Sequence, residues 1–395
     1  MNILFLTLQY DSRKEKEYLS KSKASMQGAA NTFQNNLLSG FLDVPHNIKV
    51  MNTLPVATFP KYSQIFMKTG IGSILDFDTT EIGYINLPLF KQTTRYFAYK
   101  KQVKKWIKET KGEKAIVAYS LYLPFEKIFK FVKKHYPEVK TSLICPDLPC
   151  EYGILPKNKI KAAIQYSYGK KLLKFAKYSD SFTLLTEEMK HPLKLGERPF
   201  TVVEGVCNAK PTEKTEEKTI LYTGTLHKQF GILTLLEAFS QIEEPDAKLW
   251  ICGGGDSKQA VIDAAEKDNR ITFFGYVAKD KVEELQGKAS LLINPRANDG
   301  HYTKYSFPSK TMEYMTSGKP VVMYKLDGIP AEYDPYLCYI KGNSAEEMKE
   351  TILSVLAKTQ EERNALGLKA AEFVSQNKNS TVQAEKIINL LFNME

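Results

Sequence analysis

The stretch Lys304-Tyr305-Ser306-Phe307-Pro308-Ser309-Lys310-Thr311-Met312-Glu313-Tyr314-Met315-Thr316-Ser317-Gly318-Lys319-Pro320-Val321-Val322, with Asn294-Pro295-Arg296 just before it, reads as a loop, a short helix, a stop and a strand. Pro308 or Ser309 can open the helix, and Gly318 suits the position just past its end. The start of a helix carries free N–H groups and partial positive charge, so it is a ready seat for phosphate. Lys310 in the first turn opposes that dipole unless an anion sits nearby. Glu313, one turn on, can accept two hydrogen bonds from a ribose diol. In the plainer reading of the same residues, Glu313 complements the dipole and Lys310 is solvated.

Working outward, strand and helix patterns alternate along the whole chain, which predicts parallel α/β sheets. Strands are expected at 2–8, 48–52, 115–118, 142–145, 182–185 and 201–203, with helices at 29–38, 96–109, 125–135 and 160–176. A polar run, 211–218, reads as a linker. A second series follows, with strands at 219–222, 248–252, 271–274, 290–293, 320–323 and 338–340. Its clearest helix spans 231–242, where Ile232, Leu235, Leu236, Phe239 and Ile242 share one face. An amphipathic helix closes the chain at 381–392. Two doubly wound halves in series bind ligands beyond the carboxyl ends of their strands, with the opening between the halves as the expected site.

The 395 residues suit two or three domains and are 43% hydrophobic and 25% charged, an ordinary globular composition. No apolar run is long enough to suggest a membrane span. The opening Met1-Asn2-Ile3-Leu4-Phe5-Leu6-Thr7-Leu8 reads as a first strand, not a signal peptide. Five scattered cysteines and five scattered histidines form no disulfide framework and no metal-ligand spacing. Charge is uneven: residues 1–205 hold 32 Lys and Arg against 18 Asp and Glu, a net +14 within the chain's +10. Lysines recur there beside aromatic and aliphatic residues, at Lys100, Lys101, Lys104, Lys105 and Lys108, and again at Lys157, Lys159, Lys161, Lys170, Lys171, Lys174 and Lys177. A solvated helix face over a core explains them, as does contact with an anionic membrane or a lipid diphosphate. No nucleic-acid motif accompanies them.

The 304–322 stretch resembles the donor-site signature of retaining glycosyltransferases of the GT-B fold, family 4 (group 1), in the form found in bacterial surface-polysaccharide enzymes. That signature is a Glu, seven residues and a second Glu, then a small-residue turn and Gly-x-Pro-Val. Glu313 matches the second Glu, which in the family holds the ribose. Tyr305 stands in place of the first, and Ser306, Phe307 and Pro308 replace a Gly-Phe-Gly turn; with Ser309 they fall at the donor site. The resemblance implies two doubly wound Rossmann-like domains facing a central cleft. It places an acceptor-binding domain at 1–205, a linker at 206–218, a donor-binding domain at 219–378 and a last helix, 379–395, crossing back to the first. Gly224 and Thr225 fall in the loop that faces the donor diphosphate in the family, where an Arg after the Gly and a Lys before the next are usual. Here those places hold Thr225 and Phe230, so Lys228, Arg296 and Lys310 are the expected catalytic cations. Gly253 and Gly254 resemble the family's Gly-rich turn, which a tight turn explains as well. Tyr276 and Val277 resemble its base-binding stretch.

In the first half, Gly28 and Asn31 resemble the Gly turn near donor phosphate and acceptor, although a plain helix start reads the same. Asp147, after the strand at 142–145, is placed for acceptor binding or proton removal, while an Asp between prolines is also good loop chemistry. Tyr119-Ser120 stands where the family often has a His, and Glu204 replaces the Asn of an Asn-Gly pair. The expected activity is transfer of a sugar from a nucleotide-diphosphate donor to a saccharide acceptor, lipid-linked, with retention and without metal or cofactor. The expected place is the cytoplasm, peripheral on the inner face of the cell membrane. A nucleotide-sugar epimerase on the same fold and a non-catalytic adaptor are the rival readings.

Overall fold

A computed structural model describes residues 1–24, 26–149, 158–207, 218–298 and 301–392. The chain divides into two units, Met1–Val206 with Ser380–Glu395, and Cys207–Asn379. Most of the expected linker, 206–218, lies outside the described residues, as do Cys150 and Lys157.

The strands, in chain order, are β1 (Asn2–Thr7), β2 (Asn47–Asn52), β3 (Phe66–Met67), β4 (Gly70–Ile74), β5 (Phe77–Glu81), β6 (Tyr84–Ile85), β7 (Lys114–Tyr119), β8 (Lys140–Cys145), β9 (Ser181–Leu184), β10 (Phe200–Val202), β11 (Thr219–Thr223), β12 (Lys248–Cys252), β13 (Ile271–Gly275), β14 (Leu291–Asn294), β15 (Val321–Tyr324) and β16 (Cys338–Ile340). The first unit holds an eight-stranded sheet in the order β10-β9-β8-β7-β1-β2-β5-β4. All its pairings are parallel except β4 with β5. Central strands such as Ile3-Leu4-Phe5-Leu6 and Ala115-Ile116-Val117-Ala118 are buried throughout. Helices cover both faces of such a sheet, so its strands read as unbroken apolar runs. The second unit holds a wholly parallel six-stranded sheet, β13-β12-β11-β14-β15-β16.

The chain reverses direction across each sheet, between β1 and β7 in the first and between β11 and β14 in the second. At such a switch point the crossover connections leave to opposite faces, which opens a crevice at the carboxyl ends of the strands. The last helix, Ser380–Phe392, belongs to the first unit and packs on the helix Gly28–Leu42 through Ala384, Ile387 and Leu391.

Two local readings differ from the structure. The segment 66–85, which carries no strand in the sequence reading, contains β3 to β6. These strands are two to five residues long, β4 carries Gly70 and Gly72, and β5 buries one apolar residue, Phe77, beside the polar Thr79, so no apolar alternation marks them. The helix expected at 96–109 begins at Phe90: its early turns bury the polar Lys91 and Arg95 and expose the apolar Phe90, so no apolar period marks them.

Candidate functional site

The loops after β11, β12 and β13 are stitched together by their own backbones. Gly224 N donates to Cys252 O (3.0 Å), Leu226 N to Gly254 O (3.0 Å) and Gly253 N to Gly275 O (2.7 Å). Gly253 has φ +136°, and a Cβ there would stand 1.8 Å from Gly224 O. Glycine at 253 is therefore required by the packing of one loop on another, whereas a Cβ at Gly254 would meet nothing within 4 Å. Thr225 is exposed, and its carbonyl accepts the Tyr222 hydroxyl at 2.8 Å; burial pushes that phenol up to about 12. Tyr276 stands 92% exposed at the end of β13, with Val277 half-buried beside it.

The loop after β14 is held on the other side of the switch point. Gly231 (φ +79°) opens the helix Ile232–Ser240 so close to Pro295 that a Cβ would lie 1.9 Å from Pro295 O. Arg296 follows. Its guanidinium lies 5.6 Å from the Phe230 ring centre and 4.6 Å from that of Tyr302, and Nη2 donates to Ser306 Oγ at 3.4 Å. Phe230 occupies the place of the usual lysine of this loop. The structure thus sets a guanidinium from a different loop over that aromatic ring. Lys228 is exposed in the short turn Lys228–Phe230. Next to it His227 Nδ1 meets Asp256 Oδ2 at 3.0 Å, and this hydrogen bond holds the Asp256 carboxyl below its ordinary range.

The helix opened by Pro308 runs Ser309–Thr316, and Gly318 follows its C-terminal residue Ser317 at φ +74°. Pro308 makes no side-chain cap, so the first N–H groups lack a side-chain partner from the cap residue. Lys310 Nζ donates to both Glu313 oxygens at 2.9 Å, and Gln286 Nε2 donates to Glu313 Oε1 at 3.0 Å. The cation that opposes the dipole is thereby balanced one turn away. Phe307 is buried with its ring 5.2 Å from Tyr333, and Ser306 is buried beside Arg296. Two residues of this neighbourhood escape a sequence reading. One is Gln286, which orients Glu313. The other is Tyr314, fully buried, whose hydroxyl accepts from Thr223 N (2.8 Å) and donates to Thr223 O (3.0 Å). That exchange pins the helix to the end of β11. The spacing of Tyr314 from Glu313 gives no hint of it, since a buried Tyr reads as core.

In the first unit, Gly28 begins the helix Gly28–Leu42. Asn31 is buried and spends its amide on the loop after β1: Oδ1 accepts from Tyr10 N (2.9 Å), and Nδ2 donates to Tyr10 O (3.1 Å) and Ser12 Oγ (3.3 Å). Its side chain shapes that loop. Tyr119 is buried at the end of β7, where burial first and then the Asp147 carboxylate raise its hydroxyl well above the ordinary phenol range. Asp147, just past β8, reaches solvent yet is crowded by protein, and this desolvation pushes its carboxyl up to about 6. The Cys145 thiol donates to Asp147 O at 3.3 Å. Glu204 is buried after β10. Sequence reading passes over Glu126, in the first turn of the helix Leu123–His135. It is fully buried, neither carboxyl oxygen has a hydrogen-bond partner, and burial pushes it up to about 8. Among the described residues no group of three or more His, Cys, Asp or Glu is placed to hold a metal ion.

With this geometry in place, comparison with known proteins gives the fold. Residues 208–373 match the family model described as glycosyl transferases group 1. Among curated proteins no sequence matches the chain. Among solved structures, the chain is similar to sucrose-phosphate synthase from Thermosynechococcus elongatus, with 14% identity, TM-score 0.63 and 100% of each chain covered. It is similar to Anabaena HepE in complex with UDP and glucose, with 13% identity, TM-score 0.62 and 100% of each chain covered. WaaG, a glycosyltransferase involved in lipopolysaccharide biosynthesis, matches at 14% identity and TM-score 0.58, over 99% of this chain and 100% of that one. The fold is that of GT-B glycosyltransferases, with two Rossmann-like units built on parallel sheets, and the second unit carries the group 1 match.

Proposed function

We propose that the chain is a glycosyltransferase that takes a sugar from a nucleoside-diphosphate donor bound by the second unit and passes it to a saccharide acceptor held by the first. The observation that carries this reading is the ring of groups at the β11/β14 switch point: Arg296 braced by Phe230, Tyr302 and Ser306, Lys310 and Glu313 at a helix start, and the stitched glycine loops. The group 1 match over 208–373 supports it. The Lys310–Glu313 pair offers both partners to a donor. Glu313 would turn to the ribose hydroxyls, and Lys310, with Lys228 and Arg296, would neutralise the diphosphate as the glycosidic bond breaks. Cations placed where charge develops stabilise the transition state more than the bound substrate. Asp147, poised near pH 6, would take the acceptor proton or orient its hydroxyl. We assign the finer features on the motif at 304–322: retention of configuration, no metal, and an acceptor carried on a lipid at the inner face of the cell membrane in bacterial surface-polysaccharide synthesis.

A panel of nucleotide sugars scored by thermal shift tests the reading, because a ligand bound only by the folded state raises the transition temperature. One donor should stand out, and transfer to an acceptor should follow. A flat panel would sink the donor assignment. Tyr305 stands in the place of the family's first Glu and favours one rival, a subunit that keeps the fold without activity. A protein that binds the donor but neither hydrolyses nor transfers it would establish that rival. Product analysis with donor alone would expose an epimerase.

A further inference from the structure

The helices Phe90–Glu109, Leu123–His135 and Lys159–Phe175 lie side by side in the first unit. Each runs into a strand of the parallel sheet, so each runs antiparallel to the strands and starts at their carboxyl edge. That is also the edge from which Ser120 and Asp147 emerge. The three helices carry fourteen lysines that reach solvent and a single exposed carboxylate, Glu109. Exposed apolar groups gather in the first halves of two of them, Phe90–Glu109 and Lys159–Phe175. Leu89 is 93% exposed, Phe90 56% and Phe97 60%, with the two phenylalanines seven residues apart on one helix face. Ile160 is 72% exposed, Ile164 64% and Tyr168 41%, a stripe at intervals of four. Over its length the helix Lys159–Phe175 buries only Gly169 and Leu172.

Single exposed apolar residues are ordinary, but a cluster at helical spacing with a positive rim marks a docking surface. We propose that the outer face of these helices, through Leu89, Phe90, Phe97, Ile160, Ile164 and Tyr168, lies on an anionic bilayer and inserts shallowly into it while solvent-facing lysines of the same helices sit among the headgroups. The proposal rests on the reading that the acceptor is lipid-carried, and it names the surface that reading requires. Charge complementarity selects an anionic lipid surface, since each lysine near it strengthens binding by about fivefold. The unbranched lysine stems can lie along the apolar tips while their ammonium groups stay in water. A nucleic acid would satisfy the charge, but it offers no apolar layer for two isoleucines and a leucine. No helix among the described residues is long and apolar enough to cross a membrane.

The test is co-sedimentation of the full chain with vesicles of phosphatidylcholine alone and of phosphatidylcholine with phosphatidylglycerol, at low and high salt. The wild type should pellet with the anionic vesicles, and less at high salt because the charges are screened. A double variant Ile160→Ser, Ile164→Ser should bind at least about tenfold more weakly, two exposed apolar side chains having lost their burial in lipid. Lys170→Glu with Lys171→Glu should weaken binding and flatten its salt dependence. These positions are exposed, so an unchanged melting temperature will show that the variants fold. The proposal is overturned if the wild type stays in the supernatant with both vesicle types, or if the serine variant pellets as the wild type does. It is equally overturned if light scattering shows instead a dimer that the serine variant dissolves, or if only nucleic acid binds. Donor-induced thermal shift on the same samples separates the two readings. Lost pelleting with a normal donor shift removes the docking face alone, and normal pelleting with no donor shift removes the glycosyltransferase assignment alone.

Discussion

Replacing Glu126 with Gln should stabilise the first unit, and should do so only where the carboxyl would otherwise ionise. The side chain is fully buried, and neither oxygen has a hydrogen-bond partner. Burial alone accounts for its rise from 4.5 to about 8. The folded protein therefore keeps a proton that the unfolded chain releases above pH 4.5. Between pH 4.5 and about 8 the native state holds more protons than the unfolded state, so stability falls as pH rises through this window and levels off above it. At about 1.36 kcal/mol per unit, the shift corresponds to a loss on the order of 5 kcal/mol by pH 9. Gln keeps a similar shape and does not titrate. The variant should match the wild type near pH 4.5, gain about half of the difference near pH 6 and be several kcal/mol more stable at pH 9. Urea unfolding at these three pH values, followed by a probe of the first unit, measures it. A stability difference that does not change with pH would refute the reasoning, because a lost contact is pH-independent and a suppressed ionisation is not.

Glu313→Ala should weaken donor binding by about 1.5–3 kcal/mol, the worth of a charge-assisted acceptor, with folding little changed; calorimetry of a folded variant with unchanged affinity would end the ribose assignment. Lys310→Ala should lower kcat by on the order of a hundredfold, more than it changes KM, because charge on the departing diphosphate grows in the transition state; normal turnover removes Lys310 from the mechanism. If Asp147 acts as the base, activity should rise with pH through about 6, where its carboxyl loses its proton, and level off above. Asp147→Asn should abolish that limb, and an unchanged pH profile would assign the limb elsewhere. Gly253→Ala should destabilise the second unit by on the order of 3 kcal/mol, since its Cβ would meet Gly224 O at 1.8 Å and the backbone sits at φ +136°; an unshifted melting curve would contradict the close packing of the two loops.

Much of this molecule is legible in local pattern. Apolar runs such as Ile3-Leu4-Phe5-Leu6 announce buried parallel strands, because a strand covered on both faces has no polar side. The stop at Gly318 and the start at Pro308 follow from backbone chemistry that acts within a few residues. The sequence alone therefore determines two α/β halves and the helix that carries Lys310 and Glu313. Tertiary structure alone decides what those residues touch. The Tyr314 hydroxyl reaches Thr223, 91 positions away, and Gln286 reaches Glu313 across 27. Gly253 reads in sequence as a glycine turn, at a ligand or not, and the fold shows that the backbone of Gly224 demands a glycine there. The hydrogen bonds of Asn31 to the Tyr10 backbone, 21 positions away, are likewise set by the fold. Glu126, which nothing in the sequence singles out, is sealed in the core. The reason is one of range. Periodicity and caps are set by neighbours a turn away, whereas burial, hydrogen-bond partners and proton affinity are set by side chains that only the strand order brings together.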